Sequence, residues 1–86
     1  MDWFVISIKD RALDSFGRPF VVPSLGVAIR AFTDMVSGGD AELSKHPEDY
    51  DLYHLGSFDD NAGTFVNMSL PDRIGIGKQL VMKKGE

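Results

Sequence analysis

Cysteine is absent from this chain of 86 residues. That removes a disulfide framework, a thiolate nucleophile and every zinc site of the usual cysteine type. Histidine occurs twice and tryptophan once, so imidazole chemistry and indole stacking each have very few places to sit. The absence of cysteine fits a reducing cytoplasm, no signal-peptide pattern opens the chain, and no apolar run approaches the roughly 18–20 residues that cross a bilayer. The length allows one domain, and a chain of this size buries only about 60–65% of its unfolded surface. An apolar fraction of 43% with six Phe, two Tyr and one Trp is enough for one compact core.

Positive charge is scarce in the middle. The net charge is −4, but residues 31–70 hold only Lys45 against eight acids, a local balance of −7. An acidic middle of this kind disfavours wholesale coating of nucleic acid, so any attraction to phosphate must come from the two ends.

Trp3 to Asp10 reads as a strand, with Phe4, Ile6 and Ile8 on one face and Trp3, Val5, Ser7 and Lys9 on the other. Residues 11–22 form a connection punctuated by Gly17 and Pro19. Ser24 is an N-cap after Pro23, and Leu25, Ala28, Ile29, Phe32 and Val36 recur at helical spacing until Gly38-Gly39. Asp40 caps a short turn that stops before Pro47. Tyr50 to Phe58 is a second strand with Tyr50, Leu52, His54 and Phe58 on one face and Asp51, Tyr53, Leu55 and Ser57 on the other. Residues 59–63 make a turn by composition, and Thr64 to Met68 returns as a third strand. The pattern weakens after Pro71, leaving residues 71–86 as a C-terminal tail or an edge strand beside a single domain of residues 1–70.

The expected fold is therefore α+β, in the order β-α-β-β: a small, largely antiparallel sheet of three strands, or four if the tail joins, with one main helix on one face. One helix covers one face. The other would show Trp3, Val5, Tyr53 and Leu55 to water, which predicts a homodimer or a binding surface there.

Candidate chemical sites fail on spacing. His46, Asp49 and His54 are separated by a proline and a strand start, so no metal site is expected. Asp59 to Gly63 opens like a calcium loop, but Gly stands fifth and Leu70 occupies the twelfth position, where the bidentate Glu belongs. Gly77-Lys78 lacks both the earlier Gly and the following Ser or Thr of a phosphate-binding loop. No Gly-x-Ser-x-Gly element exists, and the paired acids Asp59 and Asp60 point apart if extended. No catalytic residues and no cofactor follow, and a non-enzymatic protein is expected. The best candidates for nucleic-acid or partner contacts are Trp3 with Lys9 and Arg11, then Arg18, Arg30, Lys83 and Lys84, because single strands are held by aromatic stacking beside cations.

Three segments jointly carry a resemblance: Phe16-Gly17-Arg18-Pro19-Phe20, Ala28 to Phe32, and His46 to Gly63. In order and spacing they are similar to the small non-structural protein of gokushovirus-type microviruses, which are single-stranded DNA bacteriophages, over most of residues 3–65. The resemblance implies a phage accessory protein, absent from the virion, that acts in viral genome replication or in single-stranded DNA synthesis and packaging in the cytoplasm of the infected host. Some family members are described as DNA-binding. The alternative is a protein–protein adaptor that engages the phage replication initiator, the procapsid or a host factor without touching DNA. No membrane partner is implied.

Overall fold

The computed structural model describes residues 1–82, in which two long central strands, β1 (Asp2–Asp10) and β4 (Tyr50–Asp59), lie antiparallel. Two short strands, β2 (Ser15–Phe16) and β3 (Phe20–Val22), pair antiparallel with β1 along its other edge, and β5 (Thr64–Ile76) closes the far side against β4. The architecture is α+β with a five-stranded antiparallel sheet and one main helix. The expected β-α-β-β order is corrected by β2 and β3, which lie in what reads as a connection. Their two- and three-residue lengths, set around Gly17 and Pro19, hide them from pattern reading.

Helix α1 (Leu25–Asp34) starts where the Ser24 hydroxyl accepts a hydrogen bond from the Val27 amide at 3.2 Å. It runs on as a π turn, Met35–Gly39, kinked at Gly38, whose φ of 132° side-chain-bearing residues avoid. Asp40 then caps α2 (Ala41–Lys45) by accepting from the Glu42 and Leu43 amides, each at 3.0 Å. A 3-10 turn, Pro47–Asp49, leads into β4. The amphipathic stripe of α1 packs on the sheet. Ala28, Phe32 and Val36 are buried against Ile6, Leu52 and Val22, with Phe4, Ile8, Phe20 and Tyr50 around them.

The C-terminal segment belongs to this core. β5 runs through Ile76 without stopping at residue 70, α3 (Gly77–Leu80) follows, and Ile74, Leu80 and Val81 pack against the buried cluster. Close approach explains two glycines here. A Cβ on Gly75 would meet Leu52 and Leu80, and one on Gly77 would run into the Pro47 and Tyr50 carbonyls.

Irregularities in the ladder change which side chains share a face. Between Ile6↔His54 and Val5↔Gly56, β4 carries one extra residue, Leu55. Phe58 consequently pairs with Trp3 and lies on its face, rather than on the Leu52 face that strict alternation assigns. Opposite Leu55, β5 accommodates the four residues Met68–Pro71 between Asn67 and Asp72.

Candidate nucleic-acid interface

The sheet face turned away from α1 is built by register. Lys9 is paired with Phe16 on one side and with Asp51 on the other, and Ser7 is paired with Tyr53, which is in turn paired with Arg73. Directly paired residues project to the same side of an antiparallel sheet, so these side chains form one surface. Residues 11–19 fold over part of it. The Ser7 hydroxyl donates to the Gly17 carbonyl at 2.7 Å, which leaves Ser7 fully buried. The Phe16 ring stands edge-on to Tyr53 with centroids 5.1 Å apart, and the Lys9 ammonium lies 5.3 Å from the Phe16 centroid. The face expected to stay open is thus covered at this end, while Phe16 itself is 41% exposed.

Beside this aromatic pair sits a fully buried carboxylate. Asp51 Oδ2 lies 3.2 Å from Arg11 Nε and 3.6 Å from Arg73 Nη1, and both guanidinium groups are half exposed. Neither Asp51 oxygen accepts a well-formed hydrogen bond from another protein group. A buried carboxylate in that state depends on nearby opposite charge. The two arginines supply it, and Asp51 in return holds them side by side. Arg11 is further fixed by donating from Nη2 to the Glu48 carbonyl and from its backbone amide to the Asp49 carbonyl at 2.8 Å. Lys9 pairs with the exposed Asp14 carboxylate at 3.3 Å. Lys9, Arg11 and Arg73 are thus set against the Asp14 and Asp51 carboxylates beside two aromatic rings.

Among the residues singled out from sequence, Lys9 and Arg11 meet here. Trp3 does not. It lies at the opposite end of β1, about 20 Å along the strand by rise per residue, and its indole N–H donates to Asp60. Arg18 is on the helix side of the sheet, in an open groove of about 490 Å³ lined also by Ile8, Phe20, Met35, Asp40 and Leu43. Arg30 projects to solvent from α1, and Lys83 and Lys84 lie outside the described residues. Arg73, Asp51, Tyr53 and Phe16 complete the cluster and were not singled out. The available signal was the period-2 alternation that puts Asp51 and Tyr53 on the Lys9 face. Arg73 carried none, because its segment showed no clear pattern.

The histidines separate. His54 faces the Phe4 ring at 5.4 Å, and its Nε2 lies 2.9 Å from the Gly56 carbonyl. His46 precedes the 3-10 turn that carries Glu48 and Asp49, and the ligand atoms of the three lie within 4.8 Å of one another on a surface open to water. No described helix is long and apolar enough to cross a membrane.

No solved structure matches the chain. It is 39% identical over 69 residues to Protein ORF5 of Chlamydia phage 1, an alignment covering 76% of this chain and 72% of that protein. The sequence profile described as Phage ORF5 protein matches residues 3–80, from Trp3 through α3, so it takes in β5 and Arg73 as well as the three segments that carried the resemblance. The chain belongs to the Phage ORF5 protein family, as its likeness to a gokushovirus-type microvirus protein implied.

Proposed function

We propose that this phage protein acts by binding, without catalysis, and that it contacts single-stranded nucleic acid through the Lys9–Arg11–Arg73 face during viral genome synthesis or packaging in the host cytoplasm. The observation that carries this reading is the pair of guanidinium groups held by buried Asp51 beside Phe16 and Tyr53. Cations fixed in place neutralise backbone phosphates with little ordering cost, and the partly exposed Phe16 ring offers a base an aromatic surface to stack on. Asp51 acts through the arginines as a positioning residue. The acidic remainder of the chain keeps the contact small and the affinity modest.

The test is fluorescence anisotropy with a labelled single-stranded DNA of about thirty bases. About three phosphate contacts at a slope of roughly −0.7 each give a log–log salt slope near −2, with micromolar binding at low salt. Arg11→Gln and Arg73→Gln should each flatten that slope by about 0.7, and Phe16→Ala should weaken binding while leaving the slope unchanged. Replacing Lys83 and Lys84 together with Gln measures what the C-terminal end adds. No binding at about 50 mM salt and about 50 µM protein overturns the reading and leaves the protein-only adaptor in its place.

A further inference from the structure

We propose that Trp3, Phe58 and Phe65 form a second stacking platform for the bases of a single strand, on the sheet face that also carries Lys9, Arg11 and Arg73. This rests on the nucleic-acid reading and adds to it a place for further bases, away from the cations.

The ladder aligns the three rings. Trp3 is paired with Phe58 and Phe58 with Phe65, so β1, β4 and β5 each send one aromatic side chain to the same side. The Phe58 and Phe65 centroids are 4.8 Å apart. The hydrogen bond from the indole N–H to Asp60 fixes the Trp3 ring, and Phe65, on the outer strand, is 63% exposed. The extra residue Leu55 makes the row, since strict alternation would turn Phe58 to the helix side. Aromatic rings displayed across neighbouring strands are how small sheet domains stack the bases of a single strand.

Charge at the rings does not oppose this. Asp2 is paired with Asp59, one residue out of step with Trp3 and Phe58, so both carboxylates project from the opposite face. Asp60 lies beside the row, and the Met1 amine balances it at 2.9 Å. A strand lying on the rings therefore faces no uncompensated carboxylate from these three acids. Attraction comes from further along the same face. Tyr53, in the cation cluster, is paired with Ser7, four residues and roughly 13 Å along β1 from Trp3. A strand of the roughly 4–16 nucleotides that a small binding fold engages spans that interval.

Area favours bases over a protein partner. Trp3 and Phe58 are half-buried by their neighbours, so most of the free aromatic surface here belongs to Phe65. That is far below the roughly 800 Å² per partner of a standard protein interface. A base needs only one ring to stack on. Asn67, two residues beyond Phe65 and paired with Gly56, projects to the same side, where its amide can both donate to and accept from a base edge.

Trp3 is the single tryptophan, so its emission reports the platform directly. A single strand of about thirty bases at low salt should quench it with the same midpoint as the anisotropy change. Phe65→Ala removes a mostly exposed ring, so the fold should persist while binding weakens about five- to fifty-fold with the salt slope unchanged. Phe65→Tyr should bind like the parent and Phe65→Leu like Phe65→Ala, whereas a merely apolar contact would be restored by leucine. An abasic strand of equal length keeps every phosphate; it should bind more weakly, with the same salt slope and without quenching. If the normal strand binds with the expected salt slope but leaves Trp3 emission unchanged, or binds Phe65→Ala as tightly as the parent, the cation face acts alone and this inference is overturned. If no strand binds at all, both readings fall and the row of rings is left to a protein partner.

Discussion

Trp3 donates its indole N–H to Asp60 Oδ2 at 2.8 Å, and the other oxygen of that carboxylate holds the Met1 amine at 2.9 Å. The start of β1 is thereby tied to the β4–β5 turn. The hydrogen bond from the amine, and then that from Trp3, hold the Asp60 carboxyl below its ordinary value of 3.8. The same bond to Asp60 raises the amine above its ordinary 8.0. A depressed carboxyl stabilises above its unfolded value and loses that as pH falls through its folded value. A raised amine stabilises below its unfolded value and loses that as pH rises through its folded value. The tie is therefore complete between these two ordinary values and weakens outside them. Trp3 is the single tryptophan, so its emission should shift on acidification below the carboxylate range, and Asp60→Ala should abolish that shift. An unchanged acid transition in Asp60→Ala would mean that some other group controls Trp3.

Phe32 is the largest fully buried side chain, set among Ile6, Leu52, Ala28 and Val36. Phe32→Ala removes a ring where backbone and neighbours leave little freedom to collapse, and should cost about 3–5 kcal/mol. A domain of this size has a total stability on the order of 5–10 kcal/mol. Urea unfolding followed by far-ultraviolet circular dichroism should show a midpoint lowered by half or more, or no folded baseline at all. A midpoint matching the parent would show that the helix buries a different face.

What could be read in the sequence was whatever depends on local periodicity. The Ser24 cap, the Leu25–Val36 stripe and the alternation in β1 each follow from spacing within one element, and the structure contains all three. Short strands β2 and β3 were not legible, because their pairing is held by the long neighbour β1 and not by their own propensity. Strict alternation puts Phe58 on the wrong face because one extra residue, Leu55, inverts every later side chain, and the local mark of it is Gly56, a glycine inside a strand. The cation cluster was legible in half. Lys9 and Arg11 are neighbours in sequence, but Arg73 comes from a distant segment and Asp51 looks like any acid on a half-exposed strand until the ladder buries it. In sequence Trp3 reads as an exposed aromatic near cations, but the strand carries it away from them.

Two glycines should respond in opposite directions. A Cβ on Gly77 would press on the Pro47 carbonyl and lie 2.6 Å from the Tyr50 carbonyl, both backbone atoms held by the start of β4. Gly77→Ala should cost about 1–3 kcal/mol, because one side must shift the other. Gly26, in the first turn of α1, has only the Ser24 hydroxyl at 3.9 Å near its missing Cβ. Gly26→Ala should instead stabilise by about 0.5–1 kcal/mol through helix propensity. Thermal melts of the two variants decide it, and a neutral Gly77→Ala would mean that α3 is not pressed against the Pro47–Asp49 turn.

The Asp51 cluster makes an asymmetric prediction. Removing both arginines, as Arg11→Met with Arg73→Met, leaves a fully buried carboxylate without compensating charge. That should cost about 3–5 kcal/mol, the range for a broken buried pair. Removing the carboxylate instead leaves two guanidinium groups that are half exposed and can turn to water. Asp51→Asn keeps the volume, so its cost should stay near 1–2 kcal/mol, the worth of a few lost polar contacts. The triple variant should recover much of what the double arginine variant loses, because the stranded charge is gone. Chemical denaturation of the three proteins measures this directly. If the double arginine variant is as stable as Asp51→Asn, Asp51 is not relying on Arg11 and Arg73 for its charge, and their fixed side-by-side placement would need another cause.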